Sequence, residues 1–284
     1  MNNTALLELA ADLAHRAGAA ILEIRARGFE TLRKADRSPV TAADHAAEAI
    51  IVAGLRAATP DIPVIAEEEM EAGISPDVNH DYWLVDPLDG TREFAALRDE
   101  FTVNIGLVRH GVAVLGVVGV PAYDEIFAGF IGSDATAWKQ TPSGRSPILA
   151  RTIPAAGLHV LASRHYSGDH RLTDYLEGHK VEKVTNMGSA LKIVRIAEGA
   201  GDLYPRFGRT MEWDTAAPQA ILEAAGGHLT TMDRTRFHYG KPDWENPAFV
   251  CTGIRLLEPS LEPSPAGGRG QGEGGTTSPP PKTK

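Results

Sequence analysis

The chain is nearly devoid of cysteine and short of positive charge. A single cysteine, Cys251, among 284 residues excludes an internal disulfide framework and a cysteine-rich zinc site, and it suits a reducing cytoplasm. Lys and Arg total 28 against 37 Asp and Glu, a formal net charge of -9. That balance argues against a nucleic-acid backbone as the main partner. A small anionic substrate stays open where bound cations reverse the local sign. No apolar run approaches ~20 residues, so no transmembrane helix is expected. The start, Met1-Asn2-Asn3-Thr4, lacks the positive region and cleavage site of a signal peptide. Walker and Rossmann glycine motifs are missing, as is a Cys or Ser nucleophile motif, and the histidines are scattered. What remains is carboxylate chemistry.

Apolar residues Leu6, Leu9, Leu13, Ala17, Ile21 and Ile24 recur at helical spacing and predict an amphipathic first helix. A second follows Thr41, with Ala46, Ala49, Ile50 and Leu55 expected on its apolar side. Pro63 to Ala66 reads as a short strand ending at Glu67-Glu68-Glu69. Strands over 101–108, 112–120 and 125–130 predict an antiparallel meander. Loop formers at 141–147 suggest a boundary, giving an N-terminal α+β subdomain over 1–145 and a C-terminal α/β subdomain over 146–257. From 258 to 284 the Pro, Gly, Ser and Thr content predicts a disordered tail.

The most informative stretch is Asp86-Pro87-Leu88-Asp89-Gly90-Thr91. Tyr82 to Val85 is a buried strand by composition, and Pro87 is expected to stop it. Gly90 allows a turn into a helix beginning at Thr91, whose first N–H groups attract phosphate. Two carboxylates beside that phosphate would repel it unless a divalent cation lay between them. Taken alone, an Asp-Gly turn is ordinary loop chemistry, and three consecutive glutamates are ordinary acidic surface. Asp214, in Trp213-Asp214-Thr215, reads locally as a helix cap, with Ala216, Ala217 and Ala220 permitting close packing of that helix. Asp44, three residues after Thr41, likewise fits a capping box; its functional alternative is to bond Thr91 and deprotonate water. Ser189 and Lys192 open another helix at its positive end, where a lysine is unfavourable unless an anion offsets it. Arg206 offers a planar fork suited to phosphate. An all-oxygen donor set favours Mg²⁺ or Mn²⁺ over zinc.

Glu67-Glu68, then 86–91, then Trp213-Asp214-Thr215-Ala216-Ala217 with Glu223 to Gly227, together resemble the inositol monophosphatase superfamily of Mg²⁺-dependent, lithium-sensitive phosphatases. Phe101 to Ile105, Gly188 to Lys192 and Leu203 to Gly208 are similar to the bacterial 3'(2'),5'-bisphosphate nucleotidases within it. The resemblance spans about residues 5–253 and implies an α/β (α+β) fold, a layered αβαβα sandwich. It implies Glu67, Asp86, Asp89, Asp214 and the Leu88 carbonyl as ligands of roughly two or three Mg²⁺ ions, with Mn²⁺ as a substitute. Asp44 and Thr91 would activate the attacking water with Glu68 in support. Gly90 and Thr91 would hold the scissile phosphate, and Ser189, Lys192 and Arg206 the nucleotide and its other phosphate. Glu67, Leu88, Asp89 and Asp214 would border the substrate as well. The implied reaction converts adenosine 3',5'-bisphosphate, and by extension its sulfated form in sulfur metabolism, to AMP and phosphate. An inositol or small-alcohol monophosphatase is the alternative, and a silent, membrane-associated Mg²⁺- and anion-sensing protein is a remote one; the expected localisation is cytoplasmic, with peripheral contact on the cytoplasmic face of the inner membrane. Ser163-Arg164-His165-Tyr166-Ser167 departs from the family's Ser-Arg-Ser-His-like segment, so His165 is left unassigned.

Overall fold

Leu6, Leu13, Ala17 and Ile21 form the buried stripe of helix α1 (Asn3–Arg27). The computed structural model describes residues 1–34, 39–78, 80–164, 168 and 170–254; the tail from 258 and His165 lie outside them. Strands β1 (Thr31–Arg33) and β2 (Pro39–Thr41) pair antiparallel. Thr41 then caps α2 (Ala42–Ala58), and the capping box with Asp44 is present. The buried row of α2 is Ala43, Ala47, Ile51 and Leu55. This corrects the expected face: Ala49 is exposed and Ala46 and Ile50 are half-buried. The helix is rotated because its inward side also carries Asp44 and Glu48, whose partners lie on other elements.

After β3 (Val64–Ala66) and α3 (Glu67–Glu71), β4 (Asp81–Asp89) runs straight through Pro87. The expected stop at Pro87 is wrong. Pairing with β5 jumps from Asp86 opposite Asn104 to Asp89 opposite Thr102, so the proline sits in a bulge where no ladder donor is required. Gly90, at φ 92, makes the left-handed turn into α4 (Thr91–Ala95). A side chain there would press on the Glu100 carbonyl at 3.0 Å. Strands β5 (Thr102–Arg109), β6 (Val112–Val120), β7 (Glu125–Phe130), β8 (Thr136–Thr141) and β9 (Gly144–Pro147) complete a seven-stranded sheet ordered β3 to β9. The meander is as predicted, and the loop formers near 142 turn a hairpin at its edge.

The second sheet comes from β10 (Leu158–Ser163), β11 (Val181–Met187), β12 (Leu203–Arg206), β14 (His228–Thr231) and β16 (Phe249–Thr252), in the order β11-β10-β12-β16-β14. Between them lie α5 (His170–Leu176), α6 (Leu191–Ala197), α7 (Glu212–Ala224), and the short pair β13 (Thr210–Met211) and β15 (Glu245–Asn246). Helices α1 and α2 cover one face of the first sheet, where α1, α2 and the inner residues of β4 to β6 share one core. Helices α6 and α7 fill the space between the sheets. Leu172, Tyr175 and Leu176 of α5 cover the far face of the second sheet. The layers are therefore αβαβα. Small residues decide the spacing: a Cβ on Gly116 would overlap the Ala217 carbonyl, and one on Gly106 would sit 2.8 Å from the Ala217 nitrogen. The predicted small side of α7 thus lies directly on the sheet, which seats the helix start and Asp214.

Candidate active site

Three segment ends meet at one cleft of about 260 Å³. Glu67, Asp89, Gly90, Thr91, Ser189, Lys192, Arg206 and Asp214 all line it. Glu67 opens α3 at the end of β3, Asp86 and Asp89 end β4, and Asp214 lies in the first turn of α7. Strands β3 and β4 are parallel neighbours, with Ala66 opposite Val85, so Glu67 and Asp86 emerge side by side. Asp86 is 1% exposed, behind the cleft wall. The Glu67 and Asp86 carboxyls act directly on each other.

Burial is the main cause that raises all four acids, and neighbouring carboxylates add to it at Asp86 and Asp214. Asp86 is held well above the usual carboxylate range by burial, then by Glu67, Asp89 and Asp214. Asp214 is pushed up to about 8 by burial, Asp89 and Glu67. Burial raises Glu67 against the pull of Lys34, and raises Asp89 against Lys192 and the Ala190 N–H. Both Asp89 and Asp214 also serve the backbone: Ala190 N–H donates to Asp89 at 2.5 Å, and Met211 N–H to Asp214 at 2.8 Å. The capping reading of Asp214 is therefore correct, and its placement in the cleft is an additional fact.

At the other end, Asp44 Oδ2 accepts from the Thr41 N–H and hydroxyl at 2.7 and 2.8 Å. Its Oδ1 lies 3.1 Å from Thr91 Oγ1, which is also 3.0 Å from the Leu88 carbonyl oxygen. The Thr91 hydroxyl proton is thus offered to two acceptors. Burial raises Asp44, opposed by these bonds. The capping and Thr91-bonding roles coexist on the two oxygens of one carboxylate. Glu68 turns away from the cleft and is buried against Lys34, whose Nζ reaches it at 2.6 Å and Glu67 at 2.8 Å. Burial lifts Glu68 to about 7.

The basic wall differs from the helix-cap picture. Ala190 is the N-cap of α6, and Ser189 precedes it at φ 50. Its Oγ accepts from the Leu191 N–H at 3.2 Å. Lys192 is 3% exposed; its Nζ donates to the Ser189 carbonyl at 2.5 Å and faces the Tyr204 ring at 5.0 Å. Burial lowers Lys192 to about 8. Arg206 donates to the Gly208 and Arg209 carbonyls at 3.2 and 3.1 Å, fixing its plane at the cleft.

Sequence reasoning missed Lys34, Glu48 and Glu93. Lys34 belongs to no motif. Glu48 follows Asp44 by one helical turn, a spacing that was readable once the inward face of α2 was known. Glu93 is buried in the first turn of α4 and lines the same cleft.

Among the described residues, no group of three or more His, Cys, Asp or Glu side chains is set to grip an ion as it stands. Lys34 holds Glu67, and backbone N–H groups hold Asp89 and Asp214 instead. The charge balance nonetheless fits a divalent cation. Glu67, Asp86, Asp89 and Asp214 crowd together while Lys34, Lys192 and Arg206 are the cations acting on them. Opposite Asp86, Asn104 is fully buried with neither amide atom hydrogen-bonded. Oxygen donors in buried excess, beside an orphaned amide, suit Mg²⁺.

The inositol monophosphatase family model matches residues 2–259. The 3'(2'),5'-bisphosphate nucleotidase CysQ of Salmonella typhimurium is 43% identical over 250 residues, covering 87% of this chain and 99% of that protein. The CysQ of Escherichia coli strain K12 is 40% identical over 247 residues, 86% of this chain and 98% of its own. Among solved structures, CysQ from Bacteroides thetaiotaomicron superposes with a TM-score of 0.73 at 33% identity, over 88% of this chain and 98% of that one. An inositol monophosphatase from Anabaena gives 0.70 at 27% identity, over 89% and 92%. With this match along nearly its whole described length, and with the αβαβα layers and the acidic cleft in place, the chain belongs to the inositol monophosphatase family.

Proposed function

We propose that the protein is a Mg²⁺-dependent 3'(2'),5'-bisphosphate nucleotidase that hydrolyses the 3'-phosphate of adenosine 3',5'-bisphosphate. The nucleotidases at 40–43% identity support this reading. The observation that carries it is the mixed lining of the cleft, where carboxylates and Thr91 are joined by Ser189, Lys192 and Arg206. A monophosphate needs only the carboxylates and Thr91. The basic residues provide charge for a further phosphate.

Glu67, Asp86, Asp89, Asp214 and the Leu88 carbonyl would hold two or three Mg²⁺ ions, with Mn²⁺ as a substitute. When bound, Mg²⁺ supplies positive charge to the phosphoryl and leaving oxygens and lowers the pKa of water. Thr91 Oγ1 accepts a proton from the attacking water while passing its own to Asp44 Oδ1. Burial raises the pKa of Asp44, which strengthens it as a proton acceptor. Gly90 lets the α4 start approach the phosphate closely. Arg206 receives the other phosphate on a guanidinium already oriented by backbone carbonyls, and Lys192 adds positive potential behind the Ser189 turn.

Phosphate release is measured from adenosine 3',5'-bisphosphate and from inositol 1-phosphate with Mg²⁺, with and without lithium. Preferential, lithium-sensitive release from the nucleotide is expected. Release from inositol phosphate alone would make the protein a monophosphatase, and binding without release would make it a sensor.

A further inference from the structure

Glu48 is a buried carboxylate with no place in the chemistry above. It points from α2 at the start of α3 and accepts two backbone N–H groups, Glu68 at 2.8 Å and Glu69 at 3.0 Å. These are the two peptide units that follow Glu67. Holding them fixes the turn on which Glu67 stands, and so the direction of its side chain. Asp44 lies one helical turn earlier on the same buried side of α2 and holds Thr91. One rigid helix therefore grips both ends of the acidic site, Thr91 through Asp44 and Glu67 through Glu48.

A carboxylate is a costly choice for this task. Glu48 is 7% exposed, and the nearby charges of Glu69 and Glu67 both oppose its ionisation. Charge-assisted bonds to two N–H groups are shorter and stronger than neutral ones, so the charge secures a tighter hold on α3 than an amide could. Arg56, also on α2, pairs with Glu69 through both guanidinium nitrogens at 2.9 and 2.7 Å. That exposed pair anchors the outer side of α3 and leaves the Glu67 side to Glu48.

We propose that Glu48 is a positioning residue for the cation site, acting on Glu67 through the Glu68 and Glu69 amides rather than touching metal or substrate. This rests on the reading of Glu67 as a ligand. The test is calorimetric titration of Mg²⁺ alone into the chelator-treated full-length protein, beside melting curves and steady-state kinetics. Loss of a partner that orients a ligand weakens metal affinity about tenfold or more. Glu48→Ala is therefore expected to raise the Mg²⁺ Kd about tenfold. Glu48→Gln, which keeps one acceptor, should fall between Glu48→Ala and wild type. At saturating Mg²⁺ the KM for nucleotide should stay unchanged and kcat should recover.

Val52→Ala, one turn further along the inward face of α2, controls for general destabilisation and should lower the melting temperature without moving the Mg²⁺ Kd. If Glu48→Ala lowers only the melting temperature, or if Val52→Ala shifts Mg²⁺ affinity as much, Glu48 is merely structural. Should Glu48→Ala fail to fold, a wild-type Kd in Glu48→Gln overturns the proposal. Glu67→Gln separates the two readings. An unchanged Kd in Glu67→Gln removes Glu67 as a ligand, whereas a weakened one beside an unchanged Glu48→Ala removes only the positioning role.

Discussion

Two clusters in this molecule each bring four charged side chains together. In the first, Glu67, Asp86, Asp89 and Asp214 are all acids; burial raises every one, and repulsion from the others adds to it at Asp86 and Asp214. In the second, Lys139 and Arg195 alternate with Glu125 and Glu198 between β7, β8 and α6. Lys139 lies 2.6 and 2.9 Å from Glu125 and Glu198, and Arg195 lies 2.7 and 2.6 Å from the same two. The second cluster is neutral in sum and complete. The first is left in negative excess, which a fold selected for stability alone would avoid. That difference separates a site from a strut, and it can be broken from either side.

The largest effect is expected from Asp86→Asn. Removing a charge from the incomplete cluster should cost roughly a hundredfold or more in turnover at fixed Mg²⁺. The melting temperature of the metal-free protein should hold or rise, because repulsion falls. Retained turnover would remove Asp86 from the ligand set. Next, Arg206→Ala should raise KM for the bisphosphate about tenfold, the loss of a charged hydrogen bond, with little change for a nucleotide carrying only the 3'-phosphate. Equal losses on both would deny a second phosphate site.

The complete cluster predicts the reverse pattern. Glu198→Ala leaves Lys139 and Arg195 to share Glu125 alone and should destabilise by about 2 kcal/mol, with kcat and KM unchanged. Denaturant melts and kinetics on one preparation test both halves of this statement.

The sign of the pH dependence follows from Asp214. Its carboxyl ionises near 3.8 when unfolded and at about 8 when folded, so the native state binds the extra proton between those values. Stability from this group is complete below pH ~4 and is lost as pH rises through 8. Chelated protein should therefore melt lower at pH 8 than at pH 5.5, Mg²⁺ should close the gap, and Asp214→Asn should flatten it. A chelated protein indifferent to pH in this window would show that the acids are not crowded in solution. The smallest effect belongs to Lys192, lowered to about 8. KM for the bisphosphate should climb severalfold above pH 8 as the ammonium deprotonates, a limb that Lys192→Met should remove.

The helix pair, the meander and the acidic motifs were readable because each is written locally: a spacing of three and four along α1, apolar runs along β5 and β6, and three residues from Asp86 to Asp89. The misreadings share one cause, contacts made by residues remote in the chain. Pro87 was expected to end its strand, but Asn104 and Thr102 pair across the bulge on either side of it. The inward face of α2 could not be chosen from its alanines, because Thr91 and the α3 amides decide it. Lys192 offers no sequence sign that it will bury its ammonium against the Ser189 carbonyl and Tyr204.

By itself the sequence determined which chemistry is available: oxygen ligands, a phosphate-sized turn at Gly90-Thr91, and basic residues for a second anion. Tertiary structure alone decided that Glu67, Asp89 and Asp214, from three separate segments, line one cleft with Asp86 buried behind its wall. The physical reason is distance. Helix caps and turns are settled by neighbours a few residues away, whereas electrostatic repulsion, burial and the seating of α7 on Gly106 and Gly116 exist only once the sheets have closed around them.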